Sequence, residues 1–153
     1  MASVLAVLGL VILVVLATLQ VRRRIQGFFR ERRFARARRL EDKAQRVLRR
    51  SGFVIAGRKV RRRVWLEVDG EREAFVVEAD YLVRGLAEEL LVAEVKTGTL
   101  APRATYMPTR RQLLEYDLAF AEAEGLLLVD MEQERVAEVR FPTPDEIVRS
   151  LSL

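Results

Sequence analysis

The amino-acid sequence predicts an α/β domain with a mixed β-sheet, preceded by a single transmembrane helix. Three observations lead to this prediction. Residues 2–21 are almost entirely apolar. Extended, mostly apolar segments then follow one another at 53–68, 74–83 and 90–96, with turn residues between them. A helical segment at 110–124 separates this three-strand meander from a further short apolar strand. The order of helix, meander, helix and strand is typical of an α/β fold with a mixed sheet.

The apolar N-terminal segment has the length of a membrane anchor. A helix of about 20 residues rises roughly 30 Å, the thickness of the hydrocarbon core of a bilayer. No basic residue precedes the segment and no small-residue cleavage site closes it, which argues against a cleaved signal peptide. Arg22, Arg23 and Arg24 follow at once, and the positive-inside rule then places the N-terminus outside and the rest of the chain in the cytoplasm. We therefore expect a single-pass protein of the cell membrane, anchored by residues 1–21.

Charge is distributed unevenly along the chain, although the net charge is only +5. Most of the 27 basic residues lie between Arg22 and Arg63, whereas the rest of the chain is acidic. We expect residues 22–39 to form a basic juxtamembrane helix whose arginines meet anionic lipid headgroups, each contributing about 1 kcal/mol. Contact between these arginines and nucleic acid phosphate is the alternative, and both uses can coexist along one helix. The folded domain then covers residues 40–153.

The boundaries of the elements follow from turn and capping residues. Gly52 is expected to end the first helix of the domain, since glycine is the usual residue past a helix C-terminus. Asp69-Gly70 predicts a tight hairpin turn, and residues 85–89 predict a second turn. Thr109 is the expected N-cap of the helix at 110–124, which Gly125 would end. Two short strands and a terminal helix complete the predicted order, at 126–130, 136–141 and 144–151.

The composition restricts the chemistry that the domain can perform. The chain contains neither cysteine nor histidine. Disulfides and thiolate metal sites are therefore excluded, and the commonest general base and transition-metal ligand is missing. Any catalysis must depend on carboxylates, lysine, tyrosine or a hard metal cation.

Three charged residues stand inside the apolar strands. Glu94 and Lys96 are two apart in the strand 90–96 and therefore share one face. A hairpin would bring Asp80, in the preceding strand, beside Glu94. An isolated pair of this kind commonly marks only a solvent-facing strand, but removing an unpaired ion from water costs several kcal/mol, and strand propensity spans only about 1 kcal/mol. Two close carboxylates are the ligands that Mg²⁺ prefers, and Lys96 could then position an attacking water or neutralise charge at a phosphate.

Asp80 followed by Glu94-Val95-Lys96 resembles the D…(D/E)-x-K motif of the PD-(D/E)XK nuclease superfamily. The resemblance extends over roughly residues 40–130 and implies a restriction-endonuclease-like core. Gln112 and Tyr116, in Gln-Leu-Leu-Glu-Tyr, resemble the Q-x-x-x-Y motif of RecB-type exonucleases. Two further positions are carried by the resemblance: Glu41 has a placement similar to a glutamate of archaeal Holliday-junction resolvases, and the Val95 backbone carbonyl joins the implied metal ligands Asp80, Glu94 and Glu41. Position 79 is alanine rather than the motif's proline.

These features lead to the expectation of a membrane-tethered nuclease that uses Mg²⁺ or Mn²⁺ to hydrolyse nucleic acid, DNA more than RNA. Its implied catalytic residues are Asp80, Glu94, Lys96, Glu41, Gln112 and Tyr116. A nuclease-fold module without catalysis, which binds nucleic acid or protein at the membrane, is the alternative. A structural membrane protein that only binds lipid would leave the strand charges unexplained. Weaker candidates for contact with substrate are Thr97, Arg110 and Arg111 for phosphate and Tyr106 for stacking on a base. The oligomeric state stays open, with a dimer among the options.

Overall fold

The structure, a computed structural model, describes residues 37–151. The chain divides into two units, Met1–Asp42 and Lys43–Leu153. Within the described residues, no helix combines the length and the apolar character needed to cross a bilayer. The predicted anchor, 1–21, and the predicted basic helix as far as residue 36 lie outside the described residues, so both stay predictions.

Helices and strands follow one another in the predicted order. Helix α1 covers residues 37–50. The elements that follow are β1 (Val54–Val68), β2 (Glu71–Arg84), β3 (Leu90–Lys96), α2 (Met107–Ala119), β4 (Gly125–Asp130), β5 (Arg135–Val139) and α3 (Pro144–Leu151). The five strands form one sheet in the order β1-β2-β3-β4-β5. Strands β3 and β4 are parallel and all other neighbours are antiparallel. The predicted α/β fold with a mixed sheet and a three-strand meander is confirmed.

The long β1–β2 hairpin is set by its turn. Asp69 and Gly70 both have positive φ angles, 50° and 87°, as a type I′ turn requires, and the twist of this turn matches that of the flanking strands. The pairing continues from Val68 with Glu71 as far as Val54 with Arg84, with one irregularity between Ile55 and Gly57.

The sheet buries one helix against each face. On one face, the α1 residues Ala44, Val47 and Leu48 pack against a cluster that includes Tyr81 and Leu127. On the other face, α2 supplies Leu113, Tyr116 and Phe120, which pack against Val77, Ala79, Val92 and Leu126. Each fully buried leucine or phenylalanine contributes about 1.5–3 kcal/mol relative to exposure. This two-sided burial explains why β3 and β4 are nearly continuous apolar runs, as is usual for parallel strands covered on both faces.

The ends of α1 and α2 differ in how well the sequence predicted them. Gly52, with φ 90°, ends α1 as predicted, and the Phe53 N–H donates to the Leu48 carbonyl at 3.1 Å. The predicted N-cap at Thr109 is wrong, because α2 begins at Met107 with Tyr106 as N-cap. Pro108 is tolerated there because a backbone N–H in the first turn of a helix has no partner within the helix, so the N–H that proline lacks is not needed. The buried Thr109 hydroxyl donates instead to the Ala101 carbonyl at 2.7 Å.

Candidate active site

The side chains of strand β2 switch between the two faces of the sheet at Asp80. Val77 and Ala79 belong to the cluster on the α2 face, whereas Tyr81 and Val83 belong to the cluster on the α1 face. Side chains two apart in a regular strand share a face, so the alternation slips by one residue between Ala79 and Tyr81. Slips of this kind redirect a side chain, as β-bulges do beside active sites. Asp80 is the residue at the slip.

The register of β2 and β3 places Asp80 level with Glu94. Tyr81 pairs with Ala93 at the end of the ladder, and the next residue on each strand is Asp80 and Glu94. The Val95 backbone N–H donates to Asp80 Oδ2 at 3.0 Å. The hairpin between β2 and β3 therefore has the geometry that the spacing of the two carboxylates predicted.

Glu94, Lys96, Gln112 and Tyr116 form a closed ring of polar contacts, which we call the Glu94 ring. Lys96 Nζ lies 2.6 Å from Glu94 Oε1 and donates to Gln112 Oε1 at 2.6 Å. Gln112 Nε2 donates to Tyr116 Oη at 2.7 Å. Tyr116 Oη in turn lies 2.6 Å from Glu94 Oε2 and 2.9 Å from the Glu78 carbonyl oxygen. Since a phenol has one proton, it donates to one of these two acceptors at a time.

The ring joins β3 to α2 because both elements present their polar residues at the right spacing. Glu94 and Lys96 are two apart on a strand and point to the α2 face. Gln112 and Tyr116 are one turn apart on a helix and so lie on the same side of it. The orientation of the Gln112 amide follows from its partners: lysine can only donate, so the amide oxygen faces Lys96 and the amide nitrogen faces Tyr116.

Burial dominates the electrostatics of the ring. The Glu94 residue is only 3 % exposed. Burial, and then the negative charge of Asp80, raise the pKa of Glu94, and the contacts from Lys96 and Tyr116 oppose this without cancelling it. Burial also raises the pKa of Tyr116, and the hydrogen bond to Glu94 adds to the effect. The Tyr116 hydroxyl therefore stays protonated and serves as a hydrogen-bond donor.

Lys59 is a residue of the site that the sequence analysis missed. Arg58 pairs with Tyr81 and Val60 pairs with Ala79, so Lys59 stands opposite Asp80, and its ammonium donates to Asp80 Oδ1. Burial alone would lower the pKa of Lys59, but the contact with Asp80 and the charges of nearby carboxylates outweigh it and raise the pKa. A signal existed in the sequence, since Lys59 and Asp80 are equally distant from the Asp69-Gly70 turn.

The other predicted site residues have varied positions. Glu41 lies in α1 and in the first unit, which ends at Asp42, so its part in the site stays a prediction. Arg110 and Arg111 are exposed in the first turns of α2, beside the exposed N-cap residue Tyr106. Thr97 is exposed directly after β3. The roles predicted for these residues and for the Val95 carbonyl stay predictions.

Strand β1 brings positive charge to the edge of the site. Besides Lys59, Arg61 donates to Glu78 Oε2 at 2.7 Å. Arg62 contacts Glu122 and stacks its guanidinium 5.3 Å from the centre of the Phe120 ring. Residues 64–153 contain nine basic and 19 acidic residues and would repel nucleic acid, so the basic residues of β1 on the Asp80 side are what a phosphate-containing substrate would require.

The donor types at the site suit a hard divalent cation, although a large cluster is not formed. Within residues 37–151, no group of three or more carboxylates is arranged so that it could hold a metal ion. Asp80 and Glu94 provide two. Mg²⁺ is commonly bound through one or two carboxylates, with water and substrate phosphate completing its six oxygen ligands. The residues present therefore fit such an ion by their chemistry.

Comparison with known proteins shows a similarity in fold. No family model matches the chain, and no curated protein matches it. The crystal structure of SSO0001 is similar, with a TM-score of 0.50 and 20% sequence identity, over 74% of this chain and 54% of that one. The chain thus spans about half the length of the protein that it resembles. At this identity, the two proteins are alike in fold alone.

Proposed function

We propose that the chain is a membrane-tethered, divalent-metal-dependent nuclease of the PD-(D/E)XK type, which hydrolyses phosphodiester bonds in nucleic acid, DNA more than RNA. One observation carries the proposal: Asp80, Glu94 and Lys96, from two neighbouring strands, lie together where the meander meets α2. The strand order and the parallel β3–β4 pair support a restriction-endonuclease-like core. The attachment to a membrane rests on the sequence of residues 2–21.

Asp80 and Glu94, with the Val95 carbonyl, are the groups that would hold Mg²⁺ or Mn²⁺, and Glu41 is a further candidate ligand. When bound, the ion supplies a Lewis acid and lowers the pKa of a coordinated water. The orientation of the Glu94 carboxylate is fixed, since Lys96 contacts one of its oxygens and Tyr116 contacts the other. Asp80 keeps its orientation through the Val95 N–H.

Lys96 is the residue that would act on the attacking water or on the developing phosphate charge. Its ammonium carries three N–H donors, of which the Glu94 ring uses two, toward Glu94 and Gln112. Among the described residues, no other acceptor contacts this ammonium, so its third donor is available for substrate or water. The side chain is 21% exposed, so it is held in place and still accessible. Gln112 and Tyr116 are positioning residues, because they act by fixing Lys96 and Glu94.

The proposal is tested by incubating the full chain with Mg²⁺ or Mn²⁺ and with single-stranded, duplex and branched DNA, and with RNA. Metal-dependent cleavage of at least one substrate is expected, and Asp80→Asn is expected to reduce its rate at least 100-fold. Glu78→Gln is the matched control, because Glu78 is a carboxylate of the same strand whose side chain contacts the exposed Arg61 instead. No cleavage of any substrate, or equal loss in both variants, would contradict the proposal.

One observation favours a second candidate, the nuclease-fold module without catalysis. Asp80 and Glu94 each already contact a lysine, Lys59 and Lys96, so the site is neutralised by the protein's own cations. A site of this kind needs no metal to satisfy its buried charge. This candidate predicts binding of nucleic acid or protein without turnover, and no heat when Mn²⁺ is titrated into the wild-type protein.

A further inference from the structure

Lys59 has a backbone conformation that is unusual for a lysine. Its φ angle is 48°, in the left-handed region that costs a residue with a side chain about 1–2 kcal/mol relative to the right-handed one. This residue lies at the level where β2 slips at Asp80. The Lys59 ammonium donates to Asp80 Oδ1, while the Val95 N–H donates to Asp80 Oδ2.

The ion pair between Lys59 and Asp80 is exposed and can be broken at little cost. The Lys59 side chain is 61% exposed, and that of Asp80 is 20% exposed. Exposed ion pairs contribute only about 0–1 kcal/mol. The lysine stem is flexible and mostly exposed, so the ammonium can leave Asp80 at a small cost in packing. The Lys96–Glu94 contact is the opposite case, because the Glu94 side chain is only 5% exposed and Gln112 also holds Lys96.

We propose that Lys59 is the exchangeable cation of the site: it neutralises Asp80 until a divalent ion binds there, and once displaced it binds a phosphate group of the nucleic acid substrate. The inference rests on the proposed function, since it concerns the same site. Two cations compete for one carboxylate oxygen, so removal of the lysine charge favours the metal. The displaced ammonium stays on β1 beside the site, next to a substrate whose phosphates are its natural partners.

Substitution of Lys59 therefore has two effects of opposite sign. Lys59→Met keeps the apolar stem and removes the charge, and it is expected to bind Mn²⁺ about three- to tenfold more tightly than the wild type. The same variant is expected to raise the KM for the cleaved nucleic acid about three- to tenfold, with a smaller change in kcat. A residue that only stabilised the fold would not tighten metal binding.

Two further variants keep the test independent of folding. Lys59→Gly removes the charge and accepts φ 48° without strain, so it should fold at least as well as the wild type and bind Mn²⁺ as tightly as Lys59→Met. Arg61→Met is the matched control, because Arg61 lies on the same strand and contacts the neighbouring β2 carboxylate, Glu78, at 2.7 Å. Its Mn²⁺ affinity should stay within about twofold of the wild type.

The experiment is calorimetric titration of Mn²⁺ into the full chain in detergent, for the wild type and the three variants. Tighter binding in both Lys59 variants and not in Arg61→Met supports the inference. Unchanged or weaker binding in the Lys59 variants, beside measurable binding and cleavage by the wild type, overturns the role of Lys59 and leaves the proposed function standing. If no protein gives heat and none cleaves, the metal site itself is wrong and the proposed function is overturned together with the inference.

Discussion

At the scale of single residues, the site contains two carboxylate–lysine pairs that differ in burial. Glu94 is buried and contacts Lys96 and Tyr116, whereas Asp80 is more accessible and contacts the exposed Lys59. This difference in burial determines which of the two ion pairs is costly to break. Breaking a buried pair leaves an unpaired charge and costs several kcal/mol, while an exposed pair contributes little.

The raised pKa of Glu94 leads to a prediction about pH and stability. Above its usual value of 4.5, Glu94 loses its proton in the unfolded chain but keeps it to higher pH in the native protein. The native state then binds more protons than the unfolded state, so stability falls as pH rises through this window. We expect the free energy of unfolding of the wild type, relative to Glu94→Gln, to decrease as pH rises above 4.5. Urea unfolding at a series of pH values measures this, and a difference that grows with pH would contradict the raised pKa.

Tyr116→Phe removes the hydroxyl that links α2 to Glu94. The variant loses the contacts with Glu94 and Gln112, at a cost of about 1–3 kcal/mol in the free energy of unfolding. The pKa of Glu94 should rise further, because the Tyr116 hydrogen bond lowers it. Chemical denaturation measures the first effect, and the pH dependence of cleavage measures the second. A matched control is Tyr106→Phe, since Tyr106 is exposed and makes no contact of its hydroxyl within the described residues. Equal stability of Tyr116→Phe and the wild type would show that the ring adds nothing.

At the scale of elements, the sequence predicted strands better than helix ends. Strand β3 has the predicted limits, because an apolar run between turn residues defines both of its ends. The predicted start of α2 was wrong. Thr109 has a side chain typical of an N-cap, but its hydroxyl donates to the Ala101 carbonyl across a loop. Asp80 and Glu94 could be related through one short hairpin. The turn at Asp69-Gly70 predicts that Lys59 stands opposite Asp80, but the backbone slip of β2 and the positive φ angle of Lys59 cannot be predicted from a lysine in a strand.

The register of the β1–β2 hairpin depends on Gly70. A Cβ at this position meets no atom within 4 Å, but the φ angle is 87°, so the cost of Gly70→Ala comes from the backbone alone. We expect a loss of about 1 kcal/mol or more in the free energy of unfolding. Gly70→Asn should recover part of it, since asparagine tolerates positive φ. Thermal or urea unfolding distinguishes the two. If alanine and asparagine are equally stable, the turn does not control the hairpin.

At the scale of the whole molecule, the chain joins a basic N-terminal part to a domain whose charges nearly cancel, with 18 basic and 19 acidic residues in 43–153. The apolar segment 2–21 and the arginines that follow it predict attachment to a membrane with anionic lipid at the cytoplasmic side. The contacts of Asp80, Glu94, Lys96, Gln112 and Tyr116, by contrast, lie within the unit Lys43–Leu153. Attachment and catalysis should therefore be separable by mutation.

Deletion of residues 2–21 tests the attachment. The full chain is expected to sediment with membranes and to resist extraction by high salt, because burial of apolar area does not depend on ionic strength. The deleted chain should be released from membranes by salt, since only the basic residues after Val21 remain to bind anionic lipid, and such contacts are screened. Fractionation with and without 1 M salt measures both. A full chain that is released by salt alone would contradict a transmembrane anchor.

The most direct test of the central claim is the metal-dependent cleavage rate of Lys96→Met beside that of Lys43→Met. Lys43 is the matched lysine, because it also makes an ion pair and a hydrogen bond, with Glu134 and the Met131 carbonyl, on the face of the sheet that α1 covers. A catalytic Lys96 predicts a loss of at least 100-fold in kcat for Lys96→Met and a near wild-type kcat for Lys43→Met, with both proteins folded. Cleavage that survives Lys96→Met unchanged would contradict catalysis by this site.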